Sequence, residues 1–100
     1  MNRQKALNLL GLAMRAGKLI TGEELTINEI RRQKAALVLV ASDASENTKK
    51  KVTDKSNFYQ TTCLIEFTES ELAAAIGKPR KVIGVMDQGF AKKMVSLIQG

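Results

Sequence analysis

Residues 37–45 read LVLVASDAS. The first five, Leu37–Ala41, form a continuous apolar run that is rich in β-branched residues. A run this short, with no polar position in it, predicts an interior β-strand rather than a buried helix. Ser42–Ser45 then supplies the side-chain oxygens used by turns and helix N-caps. The stretch therefore predicts a central strand that ends in a turn and leads into a helix.

Helices and strands are predicted to alternate on both sides of this strand. Residues 18–21, 62–67 and 82–86 have the composition of further short strands. Periodic apolar residues predict helices over 3–16, 22–33, 46–57, 69–77 and the segment after Asp87. Such alternation predicts one α/β domain over residues 1–100, a three-layer α/β/α sandwich around a central mixed sheet of about four strands.

Two helix starts carry the spacing of a capping box. In Thr21–Glu24 and again in Thr68–Glu71, a threonine precedes a glutamate by three residues. We therefore expect Thr21 to cap the second helix and Thr68 to cap the fourth. The residues expected in the core include Leu25, Ile27, Ile30, Phe67 and Phe90.

The composition is that of a globular protein without a membrane segment. Apolar residues make up 44% of the chain, and no apolar run approaches the roughly 20 residues that a membrane-spanning helix needs. The N-terminal segment is amphipathic, contains Gly11 and leads into the basic residues Arg15 and Lys18 rather than a cleavage site. We interpret it as a helix of a cytoplasmic protein. No helix shows a second apolar stripe, so we expect a monomer.

The charge indicates a polyanionic partner. Lys and Arg number 16 against 10 Asp and Glu, which gives a net charge of +6. The basic residues are divided almost evenly between the two halves of the chain. The excess therefore belongs to the folded domain and not to a tail, which favours a nucleic-acid-binding surface over a disordered arm.

The residues of most enzyme active sites are missing. The chain has no histidine, which removes the commonest general base, and Cys63 is its only cysteine, which excludes an internal disulfide and a zinc site built from several cysteines. No nucleotide-binding, zinc-protease or serine-hydrolase motif is present. Asp43, after the central strand, is the best catalytic candidate, but a turn or cap role is favoured. We expect no enzyme activity, no cofactor and no metal.

The stretch Gly22–Lys34 is the first candidate contact surface. A glycine at a helix start allows close backbone approach, and the free amides there bind phosphate. Glu24, Asn28 and Arg31 follow on one helical face, where such side chains can pair with base edges. Two interpretations stay open, a face that reads bases and a capped, solvated helix. With the preceding cation, the candidate contacts are Lys18, Gly22, Glu23, Glu24, Asn28, Arg31 and Lys34.

Two further basic segments are weaker candidates. The turn Lys78–Lys81 offers the contacts Lys78, Pro79, Arg80 and Lys81 between a helix and a strand. Lys49–Lys51 lies on a helix, where consecutive residues point about 100° apart, so a solvated face is favoured. The chain has no Trp and few aromatic residues. Structured RNA is therefore favoured over single strands, which need stacking platforms.

The stretches GLAMRAGKLITGEELTINEIRRQKAALVLVASDAS, ENTKKKVTDKSNFYQ and GVMDQGFAKKMVSLI carry a family resemblance across nearly the whole chain. The sequence resembles the small bacterial YlxQ-type proteins. These belong to the superfamily of the archaeal large-subunit ribosomal protein that also serves box C/D RNA particles. The resemblance implies a non-enzymatic RNA-binding protein of ribosomal type. Its RNA would contain a kink-turn, a sharply bent helix with tandem sheared G·A pairs.

The resemblance also implies where the RNA would bind. In this family a helix beginning G-x-N-E-x-x-K reads the guanines, and a loop before the last strand covers a flipped-out nucleotide. Gly22 matches the family glycine, whereas Glu24, Leu25 and Asn28 fall at the Asn, Glu and Lys positions. The loop corresponds to Lys78–Val82, which is basic here. We expect RNA binding that is weaker or differently selective, with a protein-interaction module on the same fold as the alternative.

Overall fold

The computed structural model describes all residues from Met1 to Gly100. Five helices alternate with four strands, which confirms the predicted order. None of the helices combines the length and the apolar character required to cross a membrane. The elements are α1 (Arg3–Arg15), β1 (Leu19–Thr21), α2 (Glu23–Arg31), β2 (Leu37–Val40), α3 (Glu46–Phe58), β3 (Cys63–Leu64), α4 (Glu69–Ile76), β4 (Val82–Val85) and α5 (Gln88–Gln99).

The four strands form one mixed sheet in the order β1-β4-β2-β3. Strand β4 is antiparallel to both β1 and β2, and β3 is parallel to β2. The register pairs Ile83 with Thr21 and Val82 with Val40. The ends of β1 and β2 therefore lie beside the start of β4, at what is called here the upper edge of the sheet. The predicted mixed sheet is confirmed.

Helices cover both faces of the sheet. Helix α1 packs against α4 and α5, and α2 packs against α3. All residues of the central strands β2 and β4 are buried, which explains why both strands are continuous apolar runs rather than alternating ones. The three-layer arrangement predicted from the sequence is therefore present.

Helix α2 lies close to the sheet because β4 contains Gly84. A Cβ at this position would lie 2.7 Å from Cγ2 of Ile20 and 3.2 Å from Cγ2 of Thr26. The first distance is shorter than real Cβ contacts, so a larger residue would displace the Ile20 side chain of β1, and the second would force Thr26 of α2 to shift by a few tenths of an ångström. Gly84 thereby allows Ile20 and Thr26 to pack closely against β4.

Arg3 and Glu71 join α1 to the start of α4. Arg3 donates from Nε to Glu71 Oε2 at 2.6 Å and from Nη2 to Oε1 at 2.8 Å, and its Nη2 also donates to the Glu66 carbonyl at 2.8 Å. The Thr68 amide donates to the same carboxylate at 3.0 Å, completing the predicted capping box. The hydrogen bonds from Arg3 and then from Thr68 lower the pKa of Glu71 to about 2.

Three predictions about these elements were wrong. Leu25 is 55% exposed, because the side of α2 that faces the sheet carries Thr26, Ile27 and Ile30, and Leu25 points away from that side. The strand predicted over 62–67 is only Cys63–Leu64, since β3 pairs with β2 at two positions before the chain turns away. The second helix ends at Arg31 rather than near 33. Of the two expected core aromatics, Phe67 is buried and Phe90 is half-buried.

Candidate nucleic-acid interface

Gly22 is the N-cap of α2 and has a conformation that only glycine adopts readily. Its φ is 101° and its ψ is 152°, in a region essentially restricted to glycine. A Cβ here would meet no atom within 4 Å, so the backbone faces open space. Thr21 does not cap the helix, and the predicted capping box with Glu24 was wrong. Thr21 belongs to β1, and no side chain caps α2.

One hydrogen bond joins this glycine to the basic turn. The Gly22 amide donates to the Val82 carbonyl at 2.8 Å, and the Ala41 amide donates to the Lys81 carbonyl at 2.8 Å. The end of the Lys78–Lys81 loop is therefore fixed between β1 and β2 at the upper edge of the sheet. Two segments nearly sixty residues apart in the sequence thus form one surface.

A cavity of about 260 Å³ lies between the start of α2 and this loop. We call it the loop cleft. It opens at the upper edge, where open α/β sheets most often bind ligands. Its lining residues are Glu23, Thr48, Glu69, Pro79, Arg80, Lys81 and Val82.

Glu23 forms a bridge from α2 to α3. Its carboxylate accepts hydrogen bonds from Thr48 Oγ1 and from Lys51 Nζ, both at 3.0 Å. The Lys51 ammonium and then the Thr48 hydroxyl lower the pKa of Glu23. Glu23 is thus a charge-balanced acid and not a free one.

The sequence did not indicate Thr48 as part of the site, and it favoured a solvated role for Lys51. They are 25 and 28 residues from Glu23, and no local pattern links them to it. The parallel course of α2 and α3 on one face of the sheet is what brings the three side chains together. From the sequence, only the predicted order of helices and strands could have indicated that Glu23 lies near Thr48 and Lys51.

A second cavity, of about 220 Å³, lies along the outer face of α2 and is called here the α2–α3 cleft. Glu24, Asn28 and Arg31 share it, as their helical spacing predicted. Arg31 Nη1 donates to Asn28 Oδ1 at 3.5 Å, a long and weak contact. The remaining lining residues are Ile27 and Lys51.

Two of the predicted contacts lie at the other end of the sheet. The Lys18 carbonyl accepts from the Met86 amide at 2.8 Å, beyond the end of β4 opposite to Val82. Lys34 follows the C-terminal end of α2, near the start of β2. Both side chains are exposed. The structure does not bring them together with the loop cleft.

The loop cations are free to bind an external anion. Lys78, Arg80 and Lys81 take part in none of the five ion pairs of the protein, and neither do Arg31 and Lys34. Arg80 Nη1 instead donates to the Pro79 carbonyl at 2.7 Å, which holds the guanidinium beside the loop. By contrast, Lys49 pairs with Glu46 and Lys50 with Asp54 on their own helix.

The surroundings of Asp43 and Cys63 fit structural roles for both residues. Asp43 Oδ1 accepts from the Glu69 amide at 2.9 Å, so it holds the first turn of α4, in agreement with the cap role favoured from the sequence. Cys63 is half-buried, and burial raises its pKa, which keeps it a thiol at neutral pH. No group of three or more Cys, Asp and Glu side chains is arranged to hold a metal ion.

Comparison with known proteins identifies the family. The model of the ribosomal protein L7Ae/L30e/S12e/Gadd45 family matches residues 4–95. The chain belongs to this family. The resemblance drawn from the sequence is therefore confirmed, and the L7Ae-family assignment agrees with the mixed four-stranded sheet and five helices.

Relatives of this L7Ae-family chain extend over nearly its full length. It is 67% identical to the "RNA-binding protein YlxQ" of Enterococcus faecium over 99 residues, covering 99% of this chain and 96% of the relative. It is 52% identical to the protein of the same name from Bacillus subtilis over 91 residues, covering 90% and 91%. The chain is thus of YlxQ type within the family.

Solved structures share the fold. A Bacillus halodurans protein of unknown function has a TM-score of 0.93 and 44% identity, covering 96% of this chain and 98% of that one. The Giardia lamblia 15.5kD RNA binding protein has a TM-score of 0.83 and 17% identity, covering 99% and 89%. The second likeness concerns the fold alone.

Proposed function

We propose that this protein binds structured RNA, and specifically RNA with a kink-turn, through the start of α2 and the Lys78–Lys81 loop. The observation that carries the proposal is the hydrogen bond from the Gly22 amide to the Val82 carbonyl, which makes the two segments one continuous surface. The relatives named as RNA-binding proteins in Enterococcus faecium and Bacillus subtilis support an RNA partner.

Phosphates are held by cations and amides around the loop cleft. Lys78, Arg80 and Lys81 have no acidic partner in the protein. The first intrahelical bond of α2 runs from the Thr26 amide to the Gly22 carbonyl, so the amides of residues 23–25 have no intrahelical acceptor. Such amides at a helix start favour a phosphate oxygen.

The acids at the centre of the surface are compatible with a polyanionic ligand. Lys51 balances the charge of Glu23, so this residue repels phosphate less than a free carboxylate would. Glu24 and Asn28 are exposed in the α2–α3 cleft, where a carboxylate accepts from exocyclic amines and an amide pairs with base edges. In the proposed complex, phosphates bind at the loop and bases are read along α2.

The kink itself explains why two clefts are needed. A sharply bent RNA presents a widened groove to α2 and an unstacked nucleotide to the loop beside it. The loop cleft, bounded by Pro79 and Arg80 on one side and Glu23 on the other, is the proposed seat of that nucleotide. Leu25 and Asn28 stand where the family has Glu and Lys, so we expect affinity or selectivity that differs from the archaeal relatives.

The proposed setting is a monomeric, non-enzymatic ribosomal-type protein acting in the cytoplasm on ribosomal or another kink-turn RNA. Sites at Lys18 and Lys34 would contribute only through long-range attraction, since both lie away from the loop cleft. We propose no cofactor and no metal. Sedimentation tests the monomeric state, cellular fractionation tests the location, and activity assays test the absence of enzyme function.

Leu25 favours a second candidate function. Its side chain is 55% exposed on the helix proposed to face RNA, and it cannot form a hydrogen bond with a base. Burial of this apolar side chain against a protein partner would be favourable. A protein-interaction module would bind its partner through α2 and would show only weak, salt-sensitive attraction to RNA of any shape.

The decisive experiment compares a kink-turn RNA with the same RNA whose G·A pairs are replaced by Watson–Crick pairs. We expect tighter binding to the kinked RNA, and a loss of that preference in Arg80→Ala. Lys92→Ala is the matched control, because it removes one exposed cation from α5, in the opposite helical layer. Equal affinity for both RNAs would refute kink recognition and favour the protein-interaction alternative.

A further inference from the structure

Lys51 occupies a position different from the other cations of α3. Its ammonium lies 3.0 Å from Glu23 Oε2 on the neighbouring helix, and its side chain also lines the α2–α3 cleft beside Asn28 and Arg31. The side chain is 52% exposed even while paired. Lys51 is thus solvent-exposed, as the solvated-face interpretation expects, but unlike Lys49 and Lys50 it pairs with a carboxylate on another helix.

We infer that Lys51 is a further RNA-contacting residue, whose ammonium binds a phosphate of the strand that lies in the α2–α3 cleft. The inference rests on the proposed function. It extends the site from two chain segments to three, by adding a cation from α3 to the reading face of α2.

The geometry lets Lys51 bind a phosphate without leaving Glu23. Its ammonium has three N–H donors, and Glu23 Oε2 accepts one of them at 3.0 Å. The other two remain for a phosphate oxygen in the cleft, so Lys51 still balances the charge of Glu23 when RNA is bound. An exposed ion pair of this kind contributes only about 0–1 kcal/mol to stability, so small adjustments of the Lys51 side chain cost little.

The charge pattern of the cleft points to the same residue. Asn28, in the middle of the cleft, carries no charge, and Glu24 is an acid. Arg31, one helical turn further, is the only cation that α2 itself places in this cleft. Arg31 Nη1 lies 3.5 Å from Asn28 Oδ1, so a phosphate near Asn28 has one cation from α2, and Lys51 is the lining residue that supplies a second one from α3.

The test is the salt dependence of RNA binding by Lys51→Met. Each phosphate contact adds about 0.9 to the slope of log K against log salt on a duplex. We expect the Lys51→Met slope to be smaller than the wild-type slope by about that amount, with a several-fold loss of affinity at low salt. Lys50→Met is the matched control, because Lys50 pairs with Asp54 on its own helix and is 78% exposed. We expect it to keep the wild-type slope.

A purely structural role for Lys51 predicts a different result. If Lys51 served only to position Glu23, then Lys51→Met would leave the slope unchanged and would have no effect in a Glu23→Gln background. We expect instead that Lys51→Met lowers the slope in that background too, because the ammonium there is released from Glu23 but still near the strand. An unchanged slope in both backgrounds would overturn the inference.

The outcomes separate this inference from the proposed function. A wild-type preference for the kinked RNA with equal slopes for Lys51→Met and Lys50→Met would overturn the inference alone. No preference for the kinked RNA, together with a reduced slope for Lys51→Met only, would refute kink recognition and uphold the phosphate contact. No binding to either RNA would overturn both.

Discussion

Replacing Gly22 by alanine tests the backbone conformation on which the proposed surface depends. No atom lies within 4 Å of a Cβ at this position, so the substitution causes no clash. Its cost is conformational, because φ of 101° with ψ of 152° is a region essentially closed to other residues. Holding a residue there costs on the order of 1–3 kcal/mol.

The expected effect is measurable by urea unfolding. We predict that Gly22→Ala lowers the free energy of unfolding by about 1–3 kcal/mol, with an unchanged m-value. In a domain of this size each kcal/mol corresponds to a fall in Tm of roughly 4–8 °C. If the chain relaxes instead, the Gly22–Val82 hydrogen bond is lost and RNA affinity falls with it.

Replacement of Gly22 and of Gly77 by asparagine supplies the control. Gly77 has φ of 85° and ψ of 10°, the left-handed helical region that asparagine tolerates. We expect Gly77→Asn to cost less than about 1 kcal/mol, whereas Gly22→Asn should cost as much as Gly22→Ala. A Gly22→Ala protein within about 0.5 kcal/mol of wild type, the range of neutral surface changes, would refute the argument.

Three further predictions concern the fold that supports the site. Gly84→Ala should lower the free energy of unfolding by about 1–3 kcal/mol through overpacking against Ile20 and Thr26, and calorimetry showing no loss would contradict this close packing. Because the folded pKa of Glu71 is about 2, below the ordinary 4.5, its pairing with Arg3 stabilises the protein above pH 4.5 and this contribution is lost as the pH falls toward 2. Glu71→Gln should therefore show a shallower loss of stability across that window in urea titrations, and an identical pH profile would disprove the linkage. Leu25→Ser should change the unfolding free energy by less than about 0.5 kcal/mol, while Ile27→Ser should cost several times more; equal losses would mean that Leu25 is buried.

Local patterns predicted the architecture well. The apolar run at Leu37–Val40 marked the central strand, and the spacing from Thr68 to Glu71 marked the start of α4, because both depend on residues adjacent in the sequence. The helix predicted after Asp87 is likewise present as α5, and Asp87 caps it by accepting from the Phe90 amide at 2.8 Å. Alternation of helix and strand then limits the number of possible topologies.

The features that local sequence patterns did not predict depend on packing between distant parts of the chain. Leu25 has the spacing of a core residue only if the buried face of α2 is assumed to begin there, and the sheet instead contacts Thr26 and Ile27. Thr21 had the right neighbours for a cap but was taken up by pairing with Ile83 in the sheet. The link from Glu23 to Lys51 joins separate helices, and no local rule encodes it.

The candidate site was therefore predicted in part. The start of α2 and the Lys78–Lys81 loop were identified separately from glycine, charge and spacing. These two segments are neighbours in space because β4 lies between β1 and β2. Sequence periodicity does not specify this strand order. The same topology separates Lys18 and Lys34 from the loop cleft.

An NMR titration with kink-turn RNA tests the joint surface most directly. We predict that the amide resonances of Gly22, Arg80 and Lys81 shift together at the same RNA concentration, while those of Lys92 and Lys93 on α5 stay unchanged. Shifts confined to one of the two segments, or spread evenly over every basic residue, would contradict the claim that α2 and the loop bind RNA as one site.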